Sequence, residues 1–181
     1  MLLFKNPKMG IVALILVFIG GCSYSETFKI QQSSTNDKAT SYQIALPDYL
    51  DNLLEHHLHR TASVQYGNFF RNTYVIVVDT LSSEQFSLQQ YAQQNIQQLV
   101  ATLERPQKVD STALQIDEKN ALRVAYTGTV GIKKIKERIY YQLVFVEGKK
   151  HYYQIVLWTW DQWRQKYQAD FEHIVQSFKE Q

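Results

Sequence analysis

Between residues 42 and 178 the apolar positions switch between a two-residue and a roughly 3.6-residue period, and each switch marks an element. Tyr42 to Leu46 predicts a strand, ended by Pro47, which has no N–H for a ladder. Tyr49, Leu50, Leu53, Leu54 and Leu58 fall at helical spacing, so a helix is expected over Asp48 to Leu58 with Asp48 as N-cap. Ala62 to Phe70 and Thr73 to Leu81 are strand-like, the second around the solid run Tyr74-Val75-Ile76-Val77-Val78 of a buried strand. Ser87 to Leu103 predicts the clearest helix. Ser87 and Gln90 have capping-box spacing, Leu88, Tyr91, Ala92, Ile96, Leu99, Val100 and Leu103 form one stripe, and glutamines fill the other face. A short strand follows over Lys108 to Ile116, then Ala121 to Val130 with Leu122, Val124, Tyr126 and Val130 on one side. Ile135 to Val146 and His151 to Trp160 flank Glu147-Gly148-Lys149-Lys150, a hairpin signal. Asp161 to Phe178 closes the chain as a helix that Asp161 can cap, buried through Trp163, Tyr167, Phe171, Ile174, Val175 and Phe178. Together these patterns predict an α+β fold: a mainly antiparallel sheet of about six strands with helices packed on its faces.

The last hairpin contains a choice. Ile139, Tyr141, Leu143 and Phe145 share one strand face; Tyr140, Gln142, Val144 and Val146 share the other. A one-residue change of register exchanges the faces of the partner strand. A two-residue loop would set Gln154 on the wholly apolar face. A three-residue loop, Gly148 to Lys150, sets Tyr153, Ile155 and Leu157 there instead. An unpaired buried amide costs about 1–3 kcal/mol, so the three-residue loop is expected. Leu143 and Ile155 then share a buried layer, and Tyr140, Gln142, Tyr152, Gln154 and Trp158 gather on a mixed face. Aromatics interleaved with amides suit a recognition surface, and these five residues are the candidate binding set; the alternative is that a helix covers this face with the amides near its edge.

The first 41 residues have a different character. Lys5 and Lys8 precede the apolar run Met9 to Gly20, and Ile19-Gly20-Gly21 leads into Cys22, the chain's single cysteine. A charged start, a short apolar core and small residues make a secretory signal, and the run falls short of the about 20 apolar residues of a membrane span. The arrangement resembles the lipobox of bacterial lipoproteins, which implies diacylation of Cys22 and a signal peptide over residues 1–21. The membrane is then a partner through the lipid. Ser23 stands where an aspartate would resemble an inner-membrane retention signal, so the expected address in a Gram-negative cell is the outer membrane, facing the periplasm. One cysteine leaves no internal disulfide and no dithiol chemistry. Ser23 to Ser41 is polar, with Phe28 and Ile30 as its only strong apolar residues, and predicts a flexible tether over residues 22–41 before a single α+β domain over 42–181.

Charge excludes one class of partner. The chain has 19 Lys+Arg and 17 Asp+Glu, and two of the cations, Lys5 and Lys8, lie in the leader. Residues 22–181 are formally neutral, a poor basis for binding nucleic acid.

The words Ile44-Ala45-Leu46-Pro47, Ser87-Leu88-Gln89-Gln90-Tyr91-Ala92 and the terminal Ser177-Phe178, in this order of elements, resemble the PsbP/Mog1-like superfamily and within it the small exported DcrB-like lipoproteins. The resemblance spans about residues 42–179. It implies an antiparallel sheet with helices on both faces, an irregular stretch where the spacing of Asp48 to Leu58 predicts a helix, and an accessory or binding role with no catalytic set to carry over.

Catalytic motifs are absent: there is no G-x-S-x-G, H-E-x-x-H, P-loop or dinucleotide fingerprint, and nothing asks for a cofactor. Glu55-His56-His57-Leu58-His59 is the one cluster with metal-ligand character; on a helix, His56 and His59 would share an edge with Glu55. Against it, histidines also suit the carbonyl end of a solvated helix. Lys133, Lys134 and Lys136 are separated from Lys149 and Lys150 by the length of one strand, roughly 30 Å at 3.3 Å per residue, so they do not form one basic patch. The expected function is that of a non-enzymatic, lipid-anchored envelope protein that binds or assists another envelope component. Metal binding through the Glu55–His59 cluster and an unrecognised periplasmic hydrolase are the alternatives.

Overall fold

A computed structural model describes residues 27–38, 40–53, 58–82, 86–132 and 135–181. The leader and Cys22 lie outside the described residues, as do Glu55, His56 and His57. No helix among the described residues is long and apolar enough to cross a membrane.

Twelve elements follow one another: β1 (Phe28–Ser34), β2 (Ser41–Pro47), β3 (Asp51–Asn52), β4 (Ala62–Asn68), β5 (Thr73–Leu81), α1 (Leu88–Ala101), β6 (Glu104–Ile116), β7 (Lys119–Ile132), β8 (Ile135–Glu147), β9 (His151–Trp160), α2 (Arg164–Gln176) and β10 (Lys179–Glu180). The ten strands form two sheets, ordered β1-β2-β10 and β3-β4-β5-β9-β8-β7-β6, and every pairing is antiparallel. The expectation of about six strands is exceeded because short and polar segments also pair.

The seven-stranded sheet carries a helix on each face, while its edge strand β6 stays largely exposed. On one side lie α2 and the small sheet, enclosing Tyr42, Ile44, Val75, Val77, Val144, Ile155, Phe171 and Phe178. On the other lies α1, with Leu88, Tyr91 and Ala92 over Ile76, Leu143, Phe145 and Tyr152. This is the arrangement of helices on both faces that the resemblance implies. The α1 capping box is formed as expected: Gln90 N donates to Ser87 Oγ, and Ser87 N donates to Gln90 Oε1 at 2.8 Å. The glutamines Gln93, Gln94, Gln97 and Gln98 face solvent. α2 starts at Arg164, after a 3₁₀ turn over Asp161–Trp163. Asp161 is not its cap; the carboxylate takes Arg138 Nε at 2.9 Å. At the far end Ala45 N donates to Ser177 Oγ at 2.8 Å and Ser177 Oγ to Ile174 O at 2.7 Å, which fixes the helix end against β2 and drops the fully buried Phe178 between Tyr42 and Tyr153.

Four expectations are corrected. The tether over residues 22–41 does not extend through this stretch, because β1 pairs with β2 along its whole length. Its polar composition suits an edge strand with one wet side. Gln31 Oε1 accepts from Tyr66 Oη, Ser33 Oγ donates to Ser63 O, and the Phe28 ring lies 4.0 Å from the His173 ring. The β1–β2 turn also docks: Asn36 donates to Asp79 through its backbone N–H at 3.0 Å and its amide at 3.2 Å, and Asp37 meets the buried His151 Nε2 at 3.1 Å. The domain therefore includes β1 and the turn after it rather than starting at Tyr42.

The helix expected over Asp48 to Leu58 is absent from its described part. Asp51 and Asn52 pair with Gly67 and Tyr66, and Leu53 N donates to Gln65 O at 2.9 Å, so the backbone satisfies itself on the edge of β4 instead.

The β8–β9 register is the third correction. Glu147 pairs with Tyr152 and Leu143 with Val156, leaving Gly148 to His151 as a four-residue loop closed by Gly148 N donating to His151 O at 2.8 Å. A four-residue loop has the parity of a two-residue one, so Leu143 and Gln154 share a face, whereas Leu143 and Ile155 do not. The loop is held from outside: the Glu180 carboxylate accepts Lys149 N at 3.0 Å and Tyr153 Oη at 2.9 Å.

The fourth correction follows from the third. Gln142 does not share a layer with Gln154; it is 6% exposed on the α2 face, and Gln154 is half-buried on the α1 face.

A candidate aromatic binding groove

Because of this register the five residues of the expected mixed face are divided between the two sides of the sheet. Tyr140 and Gln142 lie under α2. The Tyr140 ring stacks on Phe171 with centroids 6.5 Å apart, the Arg164 guanidinium lies 5.4 Å from the ring centre, and the hydroxyl donates to Gln142 Oε1 at 3.1 Å. Tyr152, on the other side, is buried under α1, stacked on Tyr91 at 5.2 Å, and its hydroxyl donates to Phe86 O at 2.6 Å. Gln154 faces Phe145. Trp158, partly buried like Gln154, is the one of the five that lines a groove.

Trp158 is the centre of a different surface. α1 crosses the sheet face from Tyr152 on β9 to Gly128 on β7, where Leu103 just beyond the helix closes on the sheet. It leaves uncovered the corner where β5 starts, β9 ends and β8 starts. In that corner the antiparallel register aligns Tyr74, Trp158 and Tyr141 directly across three neighbouring strands. Their rings form a stacked row, with Tyr74 to Trp158 at 5.1 Å and 18°, and Tyr141 to Trp158 at 6.1 Å and 27°. Cross-strand aromatic pairs of this kind contribute roughly 0.2–1 kcal/mol each, enough to hold the row in place. Gly67 stands opposite Tyr74 on β4, and a Cβ there would collide with the Tyr74 ring, so only glycine lets that ring lie down across its neighbour.

The row floors a groove of about 520 Å³, walled by Leu58, Phe69, Val130, Ile139 and Trp160. Trp160 is braced by Trp163 at 4.6 Å and Phe69 by Tyr74 at 5.8 Å. Among the described residues its polar groups are few: Asn72 and Glu137, besides the two tyrosine hydroxyls. Burial raises the hydroxyl pKa of both Tyr74 and Tyr141, so both stay protonated at neutral pH. A concave apolar site with a few polar groups is the usual form of a site for a small or extended ligand, and this volume is within the usual range.

The other candidate chemistry gathers less. His59 Nδ1 meets Thr61 Oγ1 at 3.3 Å, and the remainder of the Glu55–His57 stretch lies outside the described residues. No group of three or more His, Cys, Asp or Glu side chains placed to hold a metal occurs among the described residues. Lys136 pairs with Glu104 at 2.7 Å, at the opposite end of β8 from Lys149 and Lys150. Tyr74, Tyr141 and Trp160 were not among the expected site residues. Tyr141 carries the same alternation as the core residues Leu143 and Phe145, and Tyr74 opens a run that reads as buried strand.

A family model described as PsbP-like protein matches residues 23–180. No curated protein matches the sequence. Among solved structures, cyanobacterial PsbP (CyanoP) from Synechocystis is 13% identical with a TM-score of 0.61, covering 89% of this chain and 98% of that one. The Ran-binding protein Mog1p of Saccharomyces cerevisiae is 11% identical with a TM-score of 0.58, covering 86% and 96%. LpqN of Mycobacterium tuberculosis, involved in cell envelope biogenesis, is 11% identical with a TM-score of 0.54, covering 83% and 91%. At these identities the likeness is one of fold.

Proposed function

This chain belongs to the PsbP-like protein family, and we propose that it is a lipid-anchored accessory protein of the bacterial cell envelope whose aromatic groove binds the apolar part of another envelope component. The observation that carries this reading is the stacked row Tyr74-Trp158-Tyr141 on the sheet corner that α1 leaves open. Rigid aromatic side chains offer a large contact area at low entropic cost, and such residues dominate the energetic centres of interfaces. The lining favours binding over catalysis: among the described residues Glu137 is its one carboxylate, and neither a histidine nor a serine accompanies it. The Cys22 leader gives the envelope address, and one protein of the same fold, LpqN, is involved in cell envelope biogenesis.

The test is site-directed photocrosslinking in intact cells. A photoreactive residue replaces Ile139 in the groove wall, and a control replaces Gln93 on the solvent side of α1. A discrete adduct from position 139, absent at 93 and reduced by Trp158→Ala, supports the reading. Equal labelling from both positions, or an adduct indifferent to Trp158→Ala, refutes it.

A further inference from the structure

The hairpin joining β4 to β5 presents two adjacent aromatics at its tip. Phe70 is 96% exposed and Phe69 is 56% exposed. The tip is nonetheless firmly built. Arg71 N donates to Asn68 Oδ1 at 2.8 Å, Thr73 Oγ1 donates to Arg71 O at 2.9 Å, Asn68 Nδ2 donates to Tyr49 O at 2.8 Å, and the Arg71 guanidinium lies 4.1 Å from the Tyr49 ring centre. A rigid loop that holds a phenylalanine almost wholly in water gains nothing for folding from that side chain.

Thr27, the first residue the structure describes, lies at the same place. Asp48 N donates to Thr27 O at 2.9 Å, and Asp48 is the residue before Tyr49, on which the tip rests. Cys22 precedes Thr27 by five residues. Five residues span at most about 18 Å when fully extended. A lipid on Cys22 therefore keeps this end of the domain, rather than the β8–β9 turn at the other end of the sheet, against the bilayer. The lysine at this end of the domain is already paired: Lys29 meets Asp48 at 3.5 Å. Attraction to anionic lipid is thus not needed, whereas burial of apolar aromatic surface is available.

We propose that the Phe69–Phe70 tip is a membrane-docking element that inserts into the interfacial layer of the bilayer carrying the Cys22 lipid, so that the domain is held at two points with a fixed orientation. This rests on Cys22 being acylated, as in the function proposed above. Two weak attachments together give stable association where one does not. Docked this way, the groove, of which Phe69 forms one wall, opens beside the membrane surface.

The experiment uses the full mature lipoprotein, purified from membranes and reconstituted in phosphatidylcholine vesicles. Acylation leaves no free thiol, so Phe70→Cys or Lys150→Cys provides the one site for an environment-sensitive fluorophore; both positions are exposed, and neither side chain supports the fold. Mass spectrometry first establishes the acyl groups on Cys22. The expected result is a blue-shifted emission at position 70 that is lost to quenchers carried near the lipid headgroups, with a water-like, unquenched emission at position 150. Acylated protein whose label at 70 stays water-like overturns the docking and leaves the anchor intact. A label that is blue-shifted in native membranes but untouched by lipid-borne quenchers overturns it in favour of a protein partner. Mature protein without acyl mass overturns both the anchor and the docking.

Discussion

Gln142 is the residue for which the structure most changes the expected energetics. Its side chain is buried between the large sheet and α2, the residue 6% exposed; Oε1 accepts from Tyr140, and Nε2 finds no acceptor among the described residues. An unsatisfied buried donor costs about 1–3 kcal/mol, and the single bond to Tyr140 returns only about 0.5–1.5 kcal/mol. The pair is therefore a net cost to stability. Tyr140→Phe alone strips the amide of its one partner and should destabilise by about 1–3 kcal/mol. Gln142→Met alone removes the orphaned donor at nearly constant volume but leaves the Tyr140 hydroxyl in need of an acceptor, so its effect should be small. The double variant removes both polar groups and should be about 0.5–2 kcal/mol more stable than the parent, raising Tm by roughly 1–8 °C at 2–4 °C per kcal/mol for a domain of this size. The measurement is urea unfolding of all four members of the cycle, followed by tryptophan fluorescence, with the domain beginning at Ser23. A double variant less stable than the parent would refute the reasoning, because it would show the Tyr140–Gln142 pair to be satisfied and favourable as it stands.

Other expectations follow from the same contacts. Starting the protein at Thr40 removes β1, uncovers the β2 edge and strips Phe28 from the core; stability should fall by more than about 2 kcal/mol in urea unfolding, whereas a mere tether would leave it unchanged. Gly148→Ala places a Cβ 2.6 Å from Tyr153 Cε2 and 2.9 Å from His151 O, and should cost about 1–3 kcal/mol by the same assay; a neutral effect would show the turn able to yield. Burial, reinforced by nearby Asp79, pushes the Tyr42 hydroxyl up to about 12, and burial with Glu180 pushes Tyr153 higher still. The native state then keeps protons that the unfolded chain releases above about pH 10, so this stability is complete below pH 10 and falls as pH rises toward 12, by roughly 2–3 kcal/mol for Tyr42 alone. Urea midpoints at pH 8, 10 and 11 would show the decline, and a flat profile would refute it.

Elements whose evidence is local were legible in the sequence. β5 and β9 have the expected bounds, and α1 starts where Ser87 and Gln90 mark it. β-branched runs and capping spacings act within a few residues, so the chain declares them directly. β1, β3 and β10 carry no such signal. They are polar or very short, and they exist because an edge with unpaired N–H and C=O groups is present in the fold to receive them.

The site failed to be legible for a related reason, and the β8–β9 loop shows how. Choosing between loop lengths by keeping Gln154 out of an apolar layer assumed that the sheet has one dry face. It has two, and either parity buries an amide: Gln142 lies under α2 in both, and the loop decides only whether Gln154 joins it there or lies partly under α1. What decides the parity acts from a distance. Glu180 takes the backbone of Lys149 from 31 residues away, and Asp37 takes His151 from 114 residues away. The first belongs to a two-residue strand and the second to a segment whose composition suggests a tether. Once those restraints set the register, Tyr74, Trp158 and Tyr141 fall into one row, and the groove exists. With Glu147 opposite His151, an odd-parity loop would turn Trp158 to the α2 side, where the core is already filled, and the row would lose its centre. The groove is thus a consequence of contacts at the opposite end of the hairpin. A variant that frees the loop, such as Glu180→Ala, should therefore weaken photocrosslinking from position 139 without touching a groove residue; full crosslinking in that variant would show the register to be set by the strands themselves.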